Sequence, residues 1–88
     1  MSTQTSEALS QQVIEIVSRQ MDIPKEEISL DSQFVADLGF DSLDIVEFIM
    51  LAEEEFDIVV PDKEGETMGT VRDAVLAIQE LLSQTADA

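Results

Sequence analysis

Asp41-Ser42-Leu43 is where this chain could do chemistry. A serine follows the turn Asp37-Leu38-Gly39-Phe40 and opens an apolar and acidic run that continues to Phe56. Asp41 is placed to cap that run as a helix, because its carboxylate can accept the orphan backbone N–H groups of a first turn. Ser42 then takes the first helical position, beside the positive end of the helix dipole. A phosphate ester carried there would meet unpaired N–H groups and a favourable partial charge. No base lies within the motif, and a chain without histidine lacks the commonest one. Ser42 is thus placed to carry a group, not to act as a nucleophile.

Composition narrows the rest. The 88 residues contain no cysteine and no histidine, which excludes disulfides, thiolate chemistry, the usual zinc sites and a Ser-His-Asp triad. Asp31, Asp37 and Asp41 approach one another in sequence, but Asp37-x-Gly-x-Asp41 lacks the donor order and terminal glutamate of an EF-hand loop, so no specific metal site is expected. Twenty acidic residues face four basic ones (Arg19, Lys25, Lys63, Arg72), a net charge of −16. Such a charge repels nucleic acid and anionic membrane and favours basic protein surfaces. The opening Met1-Ser-Thr-Gln-Thr-Ser has neither positive charge nor an apolar core, so it does not read as a signal peptide. No apolar run approaches membrane-spanning length. The expectation is a soluble, cytoplasmic, monomeric single domain over residues 1–88, with flexible tails at 1–5 and 83–88.

Apolar periodicity predicts the elements that hold Ser42. A first helix is expected over 6–20, with Ser6 as its cap. Leu9, Val13, Ile16 and Val17 form its stripe, Ile14 and Met21 widen it, and Pro24 ends it. A long connection follows over 22–40, carrying Ile23, Ile28, Leu30, Phe34, Val35 and Leu38, with a short turn near 32–36. The second helix is expected over 42–55. Ile58-Val59-Val60 reads as an extended loop, since no second strand is visible to pair with it. A short helix or turn is expected over 62–68, weakened by Gly65. Thr70 and Asp73 resemble a capping box for a last helix over 71–82, which would bury Val71, Ala74, Val75, Ile78, Leu81 and Leu82. The sum is all-α: a small antiparallel bundle of three main helices and one short one, with a long ordered loop between the first two.

The second helix is apolar nearly all round. Ile45, Phe48, Ile49, Ala52 and Phe56 fill one side, and Leu43, Val46 and Met50 make a second stripe flanked by Asp44, Glu47, Glu53 and Glu54. A surface helix needs one apolar face only. Spacing alone leaves the second stripe two uses: core packing, or a strip shown to a partner. Deep burial is hard to reconcile with so many carboxylates.

The run Phe34-Val35-Ala36-Asp37-Leu38-Gly39-Phe40-Asp41-Ser42-Leu43-Asp44, followed by Glu53-Glu54-Glu55-Phe56-Asp57 and Pro61-Asp62, resembles the acyl carrier protein family over nearly the whole chain. The resemblance implies that a phosphopantetheinyl transferase attaches the 4′-phosphopantetheine arm of coenzyme A to Ser42, with Asp41 and Leu43 completing the signature. The arm's thiol would carry acyl groups as thioesters between enzymes, so a cysteine-free and non-catalytic protein could serve thioester chemistry. It implies that Leu43, Val46 and Met50 dock acyl-transferring and chain-elongating enzymes, with Asp44, Glu47, Glu53 and Glu54 pairing to their Lys and Arg. It also implies that Phe34, Val35, Leu38, Phe48, Ile49, Ala52, Val60, Met68, Ala74 and Ile78, a plain core otherwise, part slightly to admit the acyl chain. Ala52 and Ala77 would leave room and Phe48 would take some.

Two places depart from the housekeeping fatty-acid carriers. Phe40 is bulky where a small residue is usual, and would shield the arm or enlarge the docking strip. Lys63-Glu-Gly-Glu-Thr-Met-Gly69 replaces an acidic helix. They leave open a carrier for fatty acid synthesis or for a polyketide, lipid or amino-acid pathway. The rival of another class is an acidic adaptor that binds proteins and carries nothing.

Overall fold

The computed structural model describes residues 6–61 and 68–86, and three α-helices account for most of them. Helix α1 spans Ser6–Met21, α2 Ser42–Phe56 and α3 Val71–Ala86, with a 3-10 turn at Lys25–Glu27. Among the described residues there is no strand, only an isolated antiparallel bridge between Gln33 and Thr70. The expected all-α bundle is what forms. The short helix expected over 62–68 falls on residues outside those described, except for Met68, which is buried.

Helix α1 forms because Leu9, Val13 and Val17 recur every four residues and give one stripe, each at most 2% exposed. Ile14, Ile16 and Met21 pack partly buried beside it. Ser6 is already helical, so it is not the helix's cap. Its C-terminus is closed twice: the Ile23 N–H donates to the Ser18 carbonyl (3.1 Å) and the Ser18 hydroxyl to the Ile23 carbonyl (2.6 Å). Asp22 between them is left-handed, a conformation Asp tolerates better than most residues. Pro24 then prevents continuation.

The long connection is ordered by backbone pairing with the start of α3. The Phe34 N–H donates to the Gly69 carbonyl (3.0 Å), Val71 to Ser32 (3.0 Å) and Arg72 to Leu30 (2.9 Å). An exposed Arg72–Asp31 ion pair lies on the same seam. The expected turn near 32–36 appears slightly later, where the N–H groups of Asp37 and Leu38 both donate to the Gln33 carbonyl (2.9 and 3.0 Å). This turn brings Phe34 and Leu38 inward and leaves Val35 63% exposed. The expectation that Val35 joins the core is therefore corrected: in a helix-like turn, positions four apart share a face and the next residue points away.

Helix α2 buries Phe48, Ala52 and Phe56 and packs against α1, as does α3. It ends at Asp57, left-handed, whose N–H donates to the Glu53 carbonyl. Ile58 and Val60 on the following segment are buried and Val59 is exposed, as an extended loop over the core requires. Helix α3 buries Val71, Ala74, Val75 and Ile78, with Leu81 and Leu82 partly buried. It runs to Ala86, past the expected end at 82.

Candidate functional site

Ser42 is exposed at the first position of α2. Three local features put it there. Gly39 takes a φ of +77° that a side chain would resist, although nothing crowds the space a Cβ would fill. Phe40 is anchored by its N–H to the Phe34 carbonyl (2.9 Å). Asp41 is extended and caps the helix: its Oδ1 accepts from the Asp44 N–H (2.9 Å), while Asp44 Oδ2 accepts from the Asp41 N–H (3.1 Å). This is a reciprocal capping box with Asp at both ends. The Asp41 carbonyl takes the Ile45 N–H (3.0 Å). What remains unused is the Ser42 hydroxyl and the backbone N–H groups of Ser42 and Leu43, none of which has a partner among the described residues.

From α1, Gln20 Nε2 donates to the Asp44 carbonyl (2.8 Å) and braces the first turn of α2. Its Oε1 is buried with no partner among the described residues. This brace is a long-range contact that no sequence spacing announces.

The outward face of α2 carries Leu43, Val46 and Met50 at 65%, 51% and 57% exposed. The second stripe is therefore a surface strip and not core. Leu51, at 40%, extends it and was not anticipated, although it lies one turn beyond Glu47 on the same side. Glu47, Met50, Leu51 and Glu54 line a shallow hollow of ~230 Å³ there. The four flanking carboxylates divide in two. Glu47 and Glu54 are exposed and without a partner among the described residues. Asp44 is committed to the cap, and Glu53 Oε2 accepts the Val60 N–H (2.8 Å), clasping the segment after α2.

Inside, Phe34, Leu38, Phe48, Ala52, Val60, Met68, Ala74 and Ile78 are buried and Ile49 partly so. Of the two uses expected for Phe40, enlarging the exposed strip is corrected: at 2% exposed it joins the core. Its ring stands edge-on to Phe34 (centroids 5.0 Å apart, planes at 70°) and to Phe48 (6.5 Å, 83°), and Phe34 and Phe48 lie 5.3 Å apart. Among the described residues no group of three or more potential ligands could hold a metal ion, and no helix is long and apolar enough to cross a membrane.

The elements converge on an unencumbered hydroxyl at an open helix end, with an apolar strip and free carboxylates running away from it. That arrangement leaves one helix end open beside an exposed apolar strip. The family profile described as a phosphopantetheine attachment site matches residues 11–78. The chain is similar to the acyl carrier protein of Sulfurovum sp. (strain NBC37-1), 46% identical over 74 residues, covering 84% of this chain and 99% of that one. It is similar to the acyl carrier protein of Cyanidium caldarium, 45% identical over 84 residues (96% and 98%), and to that of Wolinella succinogenes, 44% identical over 72 residues (82% and 95%). The chain belongs to the acyl carrier protein family. It is accordingly a non-catalytic carrier, and its cofactor is a covalently attached 4′-phosphopantetheine.

Proposed function

We propose that Ser42 bears the arm, held at the mouth of α2 with Asp41 and Leu43 as its immediate neighbours. The observation that carries this is the exposed Ser42 hydroxyl beside two unpaired backbone N–H groups. A phosphodiester there gains both donors and the helix dipole. When bound, the arm supplies the thiol on which acyl groups ride. The chain's own residues hold the attachment point clear of the core and present a surface to enzymes. Incubating the apo protein with coenzyme A and a phosphopantetheinyl transferase should raise the intact mass by one arm. Ser42→Ala should abolish the gain while leaving the helical circular dichroism intact; a gain in that variant would move the site elsewhere.

The docking surface in this reading is Leu43, Val46 and Met50, extended by Leu51. Glu47 and Glu54 are the free charges, while Asp44 and Glu53 add charge from their structural posts. An apolar centre with a charged rim suits a partner that presents Lys and Arg. The partners are the transferase and the enzymes that load, extend and unload acyl chains of fatty acid, polyketide or lipid synthesis, met by a monomeric carrier in the cytoplasm. Glu47→Lys should slow transfer of the arm several-fold at low salt, with the difference shrinking as salt screens it. Unchanged rates for both Glu47→Lys and Asp44→Lys would remove the charged rim from the interaction. Acyl chains on the arm are received among Phe34, Leu38, Phe48, Ile49, Ala52, Val60, Met68, Ala74 and Ile78. Exposed Val35 drops out of that set.

A further inference from the structure

The three-ring cluster packs in the core from residues on either side of Ser42 in the chain. Phe40 precedes the serine by two residues. Phe48 lies on the inward face of the second turn of α2, and a long helical side chain leans toward the helix N-terminus, hence toward Ser42. Phe34 closes the triangle and is tied by its N–H to Gly69 at the threshold of α3. The rings thus join the segment before α2 to the second turn of α2 and, through the Phe34 N–H, to the residue ahead of α3. One turn farther along the same face of α2, Phe48 gives way to Ala52, and α3 offers Ala74. Bulk is concentrated at the end where a tethered chain would enter, and the small Ala52 lies one turn beyond it, before Phe56 closes the same face.

We propose that Phe40 is a specificity-determining residue that sets a length threshold for acyl chains entering the interior. The proposal rests on the reading that the interior receives the chain. Entry at the Ser42 end requires the Phe40 ring to give up its edge-on contacts with Phe34 and Phe48 and its burial, a cost that does not depend on the chain. The compensation does depend on it, because each added methylene removes more apolar surface from water. Short, branched or polar acyl groups therefore ride outside on the arm, open to enzymes and solvent. Long saturated chains alone displace the ring and reach the small side chains of Ala52 and Ala74.

The test loads the holo protein and its Phe40→Ala variant with butanoyl, octanoyl and dodecanoyl groups, and follows cleavage of each thioester by hydroxylamine against the matching acyl-pantetheine free in solution. In the native protein the butanoyl ester should be cleaved as fast as the free compound and the dodecanoyl ester several-fold more slowly. In Phe40→Ala protection should begin with butanoyl, and acylation should raise Tm at a shorter chain length than in the native protein. Phe40→Leu, which keeps an apolar side chain and folds more readily, should show an intermediate threshold. Identical length profiles in all three proteins would overturn the proposal. So would absence of protection at every length in every protein, which would also remove chain uptake from the functional reading. The mass gain at Ser42 would stand in that case, so failure of the gate and failure of the carrier are separate results.

Discussion

The starts of α2 and α3 carry the same local device and differ in what surrounds it. Asp41 and Asp44 form a reciprocal capping box at one, Thr70 and Asp73 at the other. At α3 the two amides that such a box leaves over are taken: Val71 donates to Ser32 and Arg72 to Leu30. At α2 the corresponding amides of Ser42 and Leu43 have no acceptor among the described residues, and both residues are exposed. One helix start is a sealed joint that fixes the long loop; the other is an open port. The capping box specifies where a helix begins. Which chain passes in front of it decides whether the end can accept an anion.

Proline separates the two most strongly. Ser42→Pro removes an N–H that has no partner, and the preceding Asp41 is already extended (φ −111°, ψ −173°), as a residue before proline must be. Its stability should change by less than about 1 kcal/mol. Val71→Pro deletes a used hydrogen bond and a fully buried side chain, and should cost about 3 kcal/mol or more. Urea unfolding reads both, and equal costs would erase the distinction.

Removing the caps should give a smaller contrast in the same direction. Asp73 accepts from Gly69 (3.0 Å) as well as from Thr70 (3.1 Å), so Asp73→Ala should cost about 1–3 kcal/mol and loosen the loop seam. Asp41→Ala should cost about 1 kcal/mol, with the core unchanged by near-ultraviolet or NMR criteria.

Acid sharpens the contrast further. The N–H groups of Thr70 and then Gly69 hold the Asp73 carboxyl below its ordinary value of 3.8. A lowered folded value means that the contribution of Asp73 is complete above 3.8 and is lost as pH falls through the lowered value. The stability advantage of the native protein over Asp73→Asn should therefore hold at neutral pH, shrink below pH 3.8 and vanish in stronger acid. A difference that persists there would mean that the amide makes a poorer contact for reasons unrelated to charge.

Salt should give the smallest effect. With a net charge of −16, screening should raise Tm modestly for the native protein. Asp73→Asn, with one negative charge fewer, should respond slightly less than the native chain. A flat response would mean that the carboxylates lie farther apart than their number suggests.

How much of this the sequence reveals depends on range. The stripe Leu9-Val13-Val17, the two faces of α2, the Asp41 cap and the Thr70–Asp73 box are all legible, since each is set by residues within a turn or two of one another. The loop seam is not, because Leu30, Ser32 and Phe34 meet Gly69–Arg72 through backbone groups that every residue type possesses. Val35 and Phe40 were misplaced for a related reason: irregular backbone has no period, so adjacent apolar residues give no sign of which one turns inward. Glu53 reads as surface charge until the chain after α2 folds back and offers it the Val60 N–H. At the candidate site the port is legible from Asp41-Ser42, while the brace from Gln20 and the packing of Phe40 against Phe34 and Phe48 are not.

The most direct measurement is residue-resolved amide NMR of the apo protein and of the same protein loaded with the arm. The mass added should map to Ser42, the Ser42 and Leu43 amides should shift downfield and slow their exchange with solvent, and the Val71 and Arg72 amides should be protected and unmoved in both states. An arm found on any other residue, or Ser42 and Leu43 amides already protected in the apo protein, would contradict an open port at α2.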